Sequence, residues 1–434
     1  MSKIYYYLFI LYFISGCSLN SNSKFWTPTK TINEEVNLDY KKIFTEDEVF
    51  QKELNPNLKI KFSSKPLLNS LIGNLDNNNK RINFDGNLEK SSRFKFSKIK
   101  NFYQYEPSIT FFRDNVIFFD NKGTILQFNN TSKLIWKKNY YTKKEKKLKP
   151  ILQFANNNRY LIVADNIAKY YKIDLDTGNL IWSKNNLAPF NSQIKIYKDK
   201  FFIVDLSNTL RCFSLKTGDE LWNIKTENSL IRSKKKLSMV IIDDKIYFNN
   251  SIGDISAVDL IKGDLLWQLP TQSSSIYESA FSLETSDIIA DKNSLFFSNN
   301  KNQIFSVDIN TGTFNWINKV NSNNRPSVVE NYLFSVSLEG YLVIIDKNSG
   351  NIIRITDIFN HFPLKKRTKI RPEGFILGSN KIYLSTNNGR LLIIDILSGK
   401  IISKLKIDNE KILRPLISNN NLFIVKDNAI IRFN

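Results

Sequence analysis

Along most of this chain, short runs of Ile, Leu, Val, Phe and Tyr alternate with clusters of Asn, Asp, Lys and Gly. One stretch serves as a template: Tyr160-Leu-Ile-Val-Ala164, then Ala168-Lys-Tyr-Tyr-Lys-Ile-Asp174, then Asn179-Leu-Ile-Trp182. Each run is rich in β-branched and aromatic residues and is bounded by turn formers, which predicts three short strands. The pattern then repeats. The phrase ending in Gly recurs as Asp174-Leu-Asp-Thr-Gly178, Ser214-Leu-Lys-Thr-Gly218, Asp259-Leu-Ile-Lys-Gly263, Asp308-Ile-Asn-Thr-Gly312, Asp346-Lys-Asn-Ser-Gly350 and Asp395-Ile-Leu-Ser-Gly399. The glycines are 40, 45, 49, 38 and 49 residues apart, a period in the range of propeller blades.

The residue types of the phrase suit a tight turn between the last two strands of a blade. Gly takes positive φ without a Cβ clash, and Asp or Ser accepts hydrogen bonds from turn amides. Four residues after the first four glycines stand Trp182, Trp222, Trp267 and Trp316, and a degenerate earlier copy at Asn129–Lys133 keeps Trp136. A ring at a fixed point of the outer strand can pack between adjacent blades. These positions therefore belong to the fold and not to catalysis. Full copies end near Trp136, Trp182, Trp222, Trp267, Trp316, Arg354 and Ser403, which makes seven. Three further strands follow, in Leu413–Ile417, Asn421–Lys426 and Ala429–Phe433, and lack an outer partner. The alternating segment Arg93–Ile99 can supply it. The expected fold is an all-β, eight-bladed propeller of four-stranded antiparallel blades, the last closed by N- and C-terminal strands. Seven blades with a terminal appendage is the alternative.

Residues 1–17 carry Lys3, an apolar run from Tyr5 to Ile14, and Ile14-Ser-Gly-Cys17. The run is shorter than the roughly 20 residues that span a bilayer and has the flanks of a secretory signal. The four residues ending at Cys17 resemble the lipobox of bacterial lipoproteins, in which the Cys is acylated and becomes the mature N-terminus. Ser18 follows in place of the Asp that favours inner-membrane retention, which points to the outer membrane, periplasmic face. The expected organisation is a lipoprotein signal peptide over 1–16, a polar tether over 17–35, an N-terminal arm over 36–92 and the propeller over 93–434. Within the arm, apolar spacing between Asp39 and Leu54 suits a short helix or a loosely packed segment, and Asn69–Asn87 reads as a surface loop. The second cysteine, Cys212, lies mid-strand and reads as a small buried residue.

The chain holds 62 Lys and Arg against 41 Asp and Glu, a formal charge of +21. Basic runs occur at Lys143–Lys149, Lys234–Lys236 and Lys365–Lys369. They read as solvated loops, or as contacts for anionic lipid head groups or an acidic protein. Nucleic acid is not expected for a secreted lipoprotein. No catalytic constellation, cofactor motif or metal site emerges. His361 is the only histidine, and neither a Gly-rich phosphate loop nor a nucleophile elbow is present.

The repeat phrase is similar to that of pyrroloquinoline-quinone-type propellers. Among these, the quinoprotein dehydrogenases add a vicinal disulfide, a calcium site and a catalytic Asp; this chain has no adjacent cysteines and is short for that group. From about Ile99 onward it resembles the BamB family of outer-membrane assembly lipoproteins. The segment Asn101-Phe-Tyr-Gln-Tyr-Glu-Pro107, followed by Asp114-Asn-Val-Ile-Phe118, looks like that family's lead into its first blade. The resemblance implies a non-enzymatic scaffold without cofactor. Its partners would be the periplasmic repeats of a BamA-like barrel-forming subunit, unfolded outer-membrane proteins, and the outer membrane through a lipid on Cys17. It also implies a partner-binding set: Ile231 and Arg232 match the family's aliphatic–Arg pair, and Glu284 matches one acidic position, with Ser282 where a second acid would be expected. A periplasmic quinoprotein-type propeller with a redox role is the alternative, and a propeller that binds peptidoglycan or polysaccharide is a third reading.

Overall fold

A computed structural model of the chain describes residues 52–66, 80–102, 106–226, 235–271 and 283–434. Its strands form eight four-stranded sheets, the blades of a propeller. Blades 1 to 7 span residues 110–138, 152–185, 195–225, 239–269, 289–318, 327–357 and 372–406, each made of four consecutive strands in chain order. In blade 8, Leu416–Ser418, Asn421–Lys426 and Ala429–Phe433 are completed by Lys90–Lys95, which runs antiparallel to Ala429–Phe433 with Phe94 opposite Ile430. The ring thus closes with eight blades, not seven. The closing strand ends at Lys95, short of Ile99, because Ile99 turns into the core and its N–H donates to Asp427 O at 2.8 Å.

Burial follows the blade geometry. In blade 2, Tyr160–Asp165 is buried at every position after the first, whereas the outer strand Leu180–Asn185 alternates between exposed and half-buried positions. Inner strands are covered on both faces by neighbouring blades, so they read as continuous apolar runs. Outer strands have one face on the rim.

The Gly–Trp repeat welds blade to blade. At Gly178, φ is +68°, and a Cβ there would lie 2.9 Å from the ring of Trp136, which belongs to the preceding blade. The same contact joins Gly218 to Trp182, Gly263 to Trp222, Gly312 to Trp267 and Gly350 to Trp316. Three of the indoles also donate across the junction, Trp136 to Leu175 O (3.2 Å), Trp267 to Ile309 O (3.1 Å) and Trp316 to Lys347 O (2.9 Å). The turn beneath is held by its first residue: Asp174 Oδ1 accepts from Thr177 N at 2.9 Å and from Thr177 Oγ1 at 2.8 Å.

At the sixth junction an arginine stands where the others have Trp. Arg354 is fully buried, packs against Gly399, and donates from Nη1 to Leu397 O and, at 2.7 Å, to Leu58 O. Burial pulls its guanidinium down to about 10, with Asp395 opposing. The second acceptor belongs to the N-terminal segment, which runs as a strap over blades 6 to 8. Leu54 forms a bridge with Ile355 (N···O 3.1 and 2.9 Å), and Ile60 is buried while its N–H donates to Leu397 O at 3.2 Å. Glu330 Oε1 accepts from Ser63 N at 2.7 Å, and the Phe62 ring meets Tyr332 edge-on. Further along, Ile82 N donates to Leu377 O (2.9 Å), and Ser379 N donates to Phe84 O (2.9 Å). The Phe84 ring is buried 5.3 Å from that of Tyr383. This corrects the surface-loop expectation for the end of Asn69–Asn87: Ile82 and Phe84 are core residues. Residues 69–79, and the expected helix or loose segment up to residue 51, lie outside the described residues.

Candidate partner-binding surface

All innermost strands begin on one face of the ring, so the residues just before them gather around the axis at that face. There, contacts join blades that are not neighbours. Lys236, before blade 4, lies 4.0 Å from Glu106, before blade 1. Gln193 Nε2, before blade 3, donates to Asp287 Oδ2 before blade 5 at 3.0 Å. Lys235 Nζ donates to Asn323 O before blade 6. Between the neighbouring blades 7 and 8, Lys411 pairs with Glu373 at 2.6 Å, and Arg414 Nε donates to Phe375 O at 3.0 Å. The mouth of the axial channel is thus bridged by a polar lattice.

Its electrostatics are mixed and tightly linked. The Lys236 ammonium, joined by Lys235, Lys411 and Arg414, holds the Glu106 carboxyl below the usual carboxylate range against its own desolvation. Burial pushes Glu373 the other way, with Lys411 opposing. Such a surface offers charged hydrogen-bonding groups on a rigid frame. Among the described residues no group of three His, Cys, Asp or Glu side chains is disposed to hold a metal ion. Cys212 is buried, and burial pushes its thiol up to about 12.

Glu284 sits on this face. Its backbone is clamped to Asn300, with Glu284 N donating to Asn300 Oδ1 at 2.9 Å and Asn300 N to Glu284 O at 3.1 Å. Its carboxylate accepts from Asn323 Nδ2, the residue whose carbonyl receives Lys235. Ile231, Arg232, Ser282 and Cys17 lie outside the described residues. Lys235, the third residue after Arg232, is therefore the described point nearest in sequence to the aliphatic–Arg pair, and it is joined to Glu284 through Asn323. Lys236 ends the basic run Lys234–Lys236, whereas the roles of Glu106, Glu373 and Lys411 were not expected from sequence. They belong to the starts of blades 1, 4, 7 and 8, well separated in the chain except for the last two, and the ring brings them to one mouth.

The sequence profile of the family described as "Outer membrane protein assembly factor BamB" matches residues 121–356. The chain belongs to the BamB family. It is 23% identical over 252 residues to the outer membrane protein assembly factor BamB of Shewanella oneidensis, covering 54% of this chain and 58% of that protein. The crystal structure of BamB from Moraxella catarrhalis superposes with a TM-score of 0.65 at 15% identity, over 80% of this chain and 99% of that one. Quinohemoprotein alcohol dehydrogenase from Comamonas testosteroni shares the fold, with a TM-score of 0.61 at 10% identity over 81% of this chain and 78% of that one. BamB membership and the eight-bladed ring agree with the resemblance carried by the repeat phrase.

Proposed function

We propose that this chain is a non-enzymatic scaffold of the outer-membrane β-barrel assembly machinery. It binds the periplasmic repeats of the BamA-like barrel-forming subunit and aids insertion of outer-membrane proteins. The observation that carries this reading is the family match across more than half of the chain. The axial face supports it chemically: rigid, charged groups already engaged with one another suit docking of a folded partner. In this reading Ile231 supplies an apolar contact, and Arg232 offers a planar, bidentate donor to a partner carboxylate or strand-edge carbonyls. Glu284 accepts from a partner cation. A lipid on Cys17 holds the chain on the periplasmic face of the outer membrane, since stable anchoring takes more than one acyl chain, which lipoprotein modification provides.

Affinity purification of the chain from membranes tests the whole reading. A large barrel protein with soluble repeats should co-purify; quinone-dependent, calcium-requiring dye reduction in its absence would support the redox alternative instead. The anchor is tested separately. Cys17→Ser should leave the propeller folded and either release it to the soluble fraction or leave it on an uncleaved signal. A Cys17→Ser protein that carries no lipid and still sediments with the outer membrane contradicts the anchor.

A further inference from the structure

A second concavity lies on the flank of blade 7, away from the axis. Its volume is about 600 Å³, and it opens between the connection from blade 6 and the last two strands of blade 7. The basic run Lys365–Lys369 forms one wall, partly as the short helix Leu364–Arg367. Lys366, Lys369, Arg390, Lys404 and Lys406 line the cavity together with His361, and no carboxylate does. The nearby acids are engaged elsewhere. Asp357 is held by Arg367 at 2.6 Å, and Asp408 is paired with Lys426. Arg390 Nη1 has no hydrogen-bond partner among the described residues.

The walls are fixed. Asn387 ties them together, accepting from Arg371 N at 2.9 Å and donating from Nδ2 to Lys369 O at 3.0 Å. The Phe362 ring packs edge-on against Phe359, and the Lys404 ammonium stands 5.5 Å from the Phe362 centroid. Like charges gathered in one hollow repel one another and raise the local concentration of counter-ions. A compact, multiply charged oxyanion neutralises several at once and offers the acceptor geometry that an arginine fork requires. The other described lysine-rich helix, Lys143–Lys147, differs: Glu145 lies within it and pairs with Lys169 at 3.1 Å.

We propose that this hollow binds a phosphate-bearing anion, supplied either by a phospholipid head group or by a free phosphorylated solute. The proposal is independent of the assembly reading. Isothermal titration of the full chain in neutral detergent tests it, with three probes: inorganic pyrophosphate, soluble dihexanoyl phosphatidylglycerol, and dihexanoyl phosphatidylcholine as the zwitterionic control. One equivalent of pyrophosphate or phosphatidylglycerol should bind. In Arg390→Gln/Lys404→Gln the affinity should fall about tenfold or more, the usual cost of losing charged hydrogen bonds. Lys144→Gln/Lys147→Gln, which removes the same charge elsewhere, should stay within about twofold, because exposed charges are screened. Preference for phosphatidylglycerol over pyrophosphate assigns the lipid source, and the reverse order assigns the free solute. If the first pair fails to fold in a melting scan, Lys404→Gln/Lys406→Gln carries the same expectation. Equal losses in the two charge-matched variants, no binding of either anionic phosphate probe, or equally tight binding of dihexanoyl phosphatidylcholine would each overturn the proposal.

Discussion

Asp165 shows how one buried carboxyl sets a pH dependence. It is fully buried at the end of the second strand of blade 2 and accepts from Tyr141 Oη at 2.5 Å and from the amides of Ile167 and Lys169 at 2.9 and 2.8 Å. Burial outweighs these bonds and pushes its carboxyl up to about 6. A raised acid favours the fold while protonated. Its contribution is fully present below the unfolded value near 3.9 and is lost as pH rises through about 6, at about 1.4 kcal/mol per pH unit. Asn keeps a carbonyl acceptor and cannot ionise. Urea unfolding from pH 4 to 7 should therefore show wild type losing stability relative to Asp165→Asn; parallel profiles would refute this. Asp174, Asp308 and Asp346 act oppositely, because turn amides, led by those of Thr177, Thr311 and Ser349, hold them below the usual range. Their contribution is lost as pH falls below about 4. Trp222 is a junction residue, half-buried against Gly263. Trp222→Ala should cost about 2–3 kcal/mol, less than the 3–5 of a fully buried ring. Wild-type melting with lost partner binding would make it a recognition residue instead.

At the scale of elements, the blades were legible and the strap was not. Repetition made the blades readable: the Gly–Trp phrase marks each outer hairpin, and a strand pattern at Arg93–Ile99 with no blade of its own announced the closure. The strap has no period. Leu58, Ile60 and Phe62, and then Ile82 and Phe84, alternate with polar residues in two runs too short to define a blade, and their partners lie some 300 residues away in the chain. Arg354 was visible only as a break in the Trp series; its reason is the carbonyl of Leu58 in the strap. Arg354→Met should therefore loosen a distant segment. Leu58 O loses its donor while Leu397 O keeps the Ile60 N–H, so the change should cost about 1–3 kcal/mol and speed proteolytic cutting near residues 52–66 before the propeller itself is cut. Unchanged proteolysis of the strap, with an otherwise destabilised ring, would detach Arg354 from this role.

Across the whole molecule, ring closure creates the surfaces that composition cannot. The axial lattice of Glu106, Lys236, Glu373 and Lys411 is drawn from four separate blades, and no local motif foretells it. Family resemblance pointed to Ile231, Arg232 and Glu284, and of these the structure describes Glu284, joined through Asn323 to Lys235. The charge of +21 is spread over many loops, so general attraction and specific recognition make different forecasts. The direct test is the affinity of the purified chain for the periplasmic repeats of the barrel-forming subunit at physiological salt, with circular dichroism to verify folding. Arg232→Glu should weaken binding about 30-fold, as expected for a central interface arginine worth about 2 kcal/mol. Lys146→Glu, on the exposed helix, should change it by no more than about threefold, since its charge is screened within about 8–10 Å. Lys146→Glu proving the more damaging of the two would contradict the account, because general basic charge and not the Ile-Arg pair would then carry recognition.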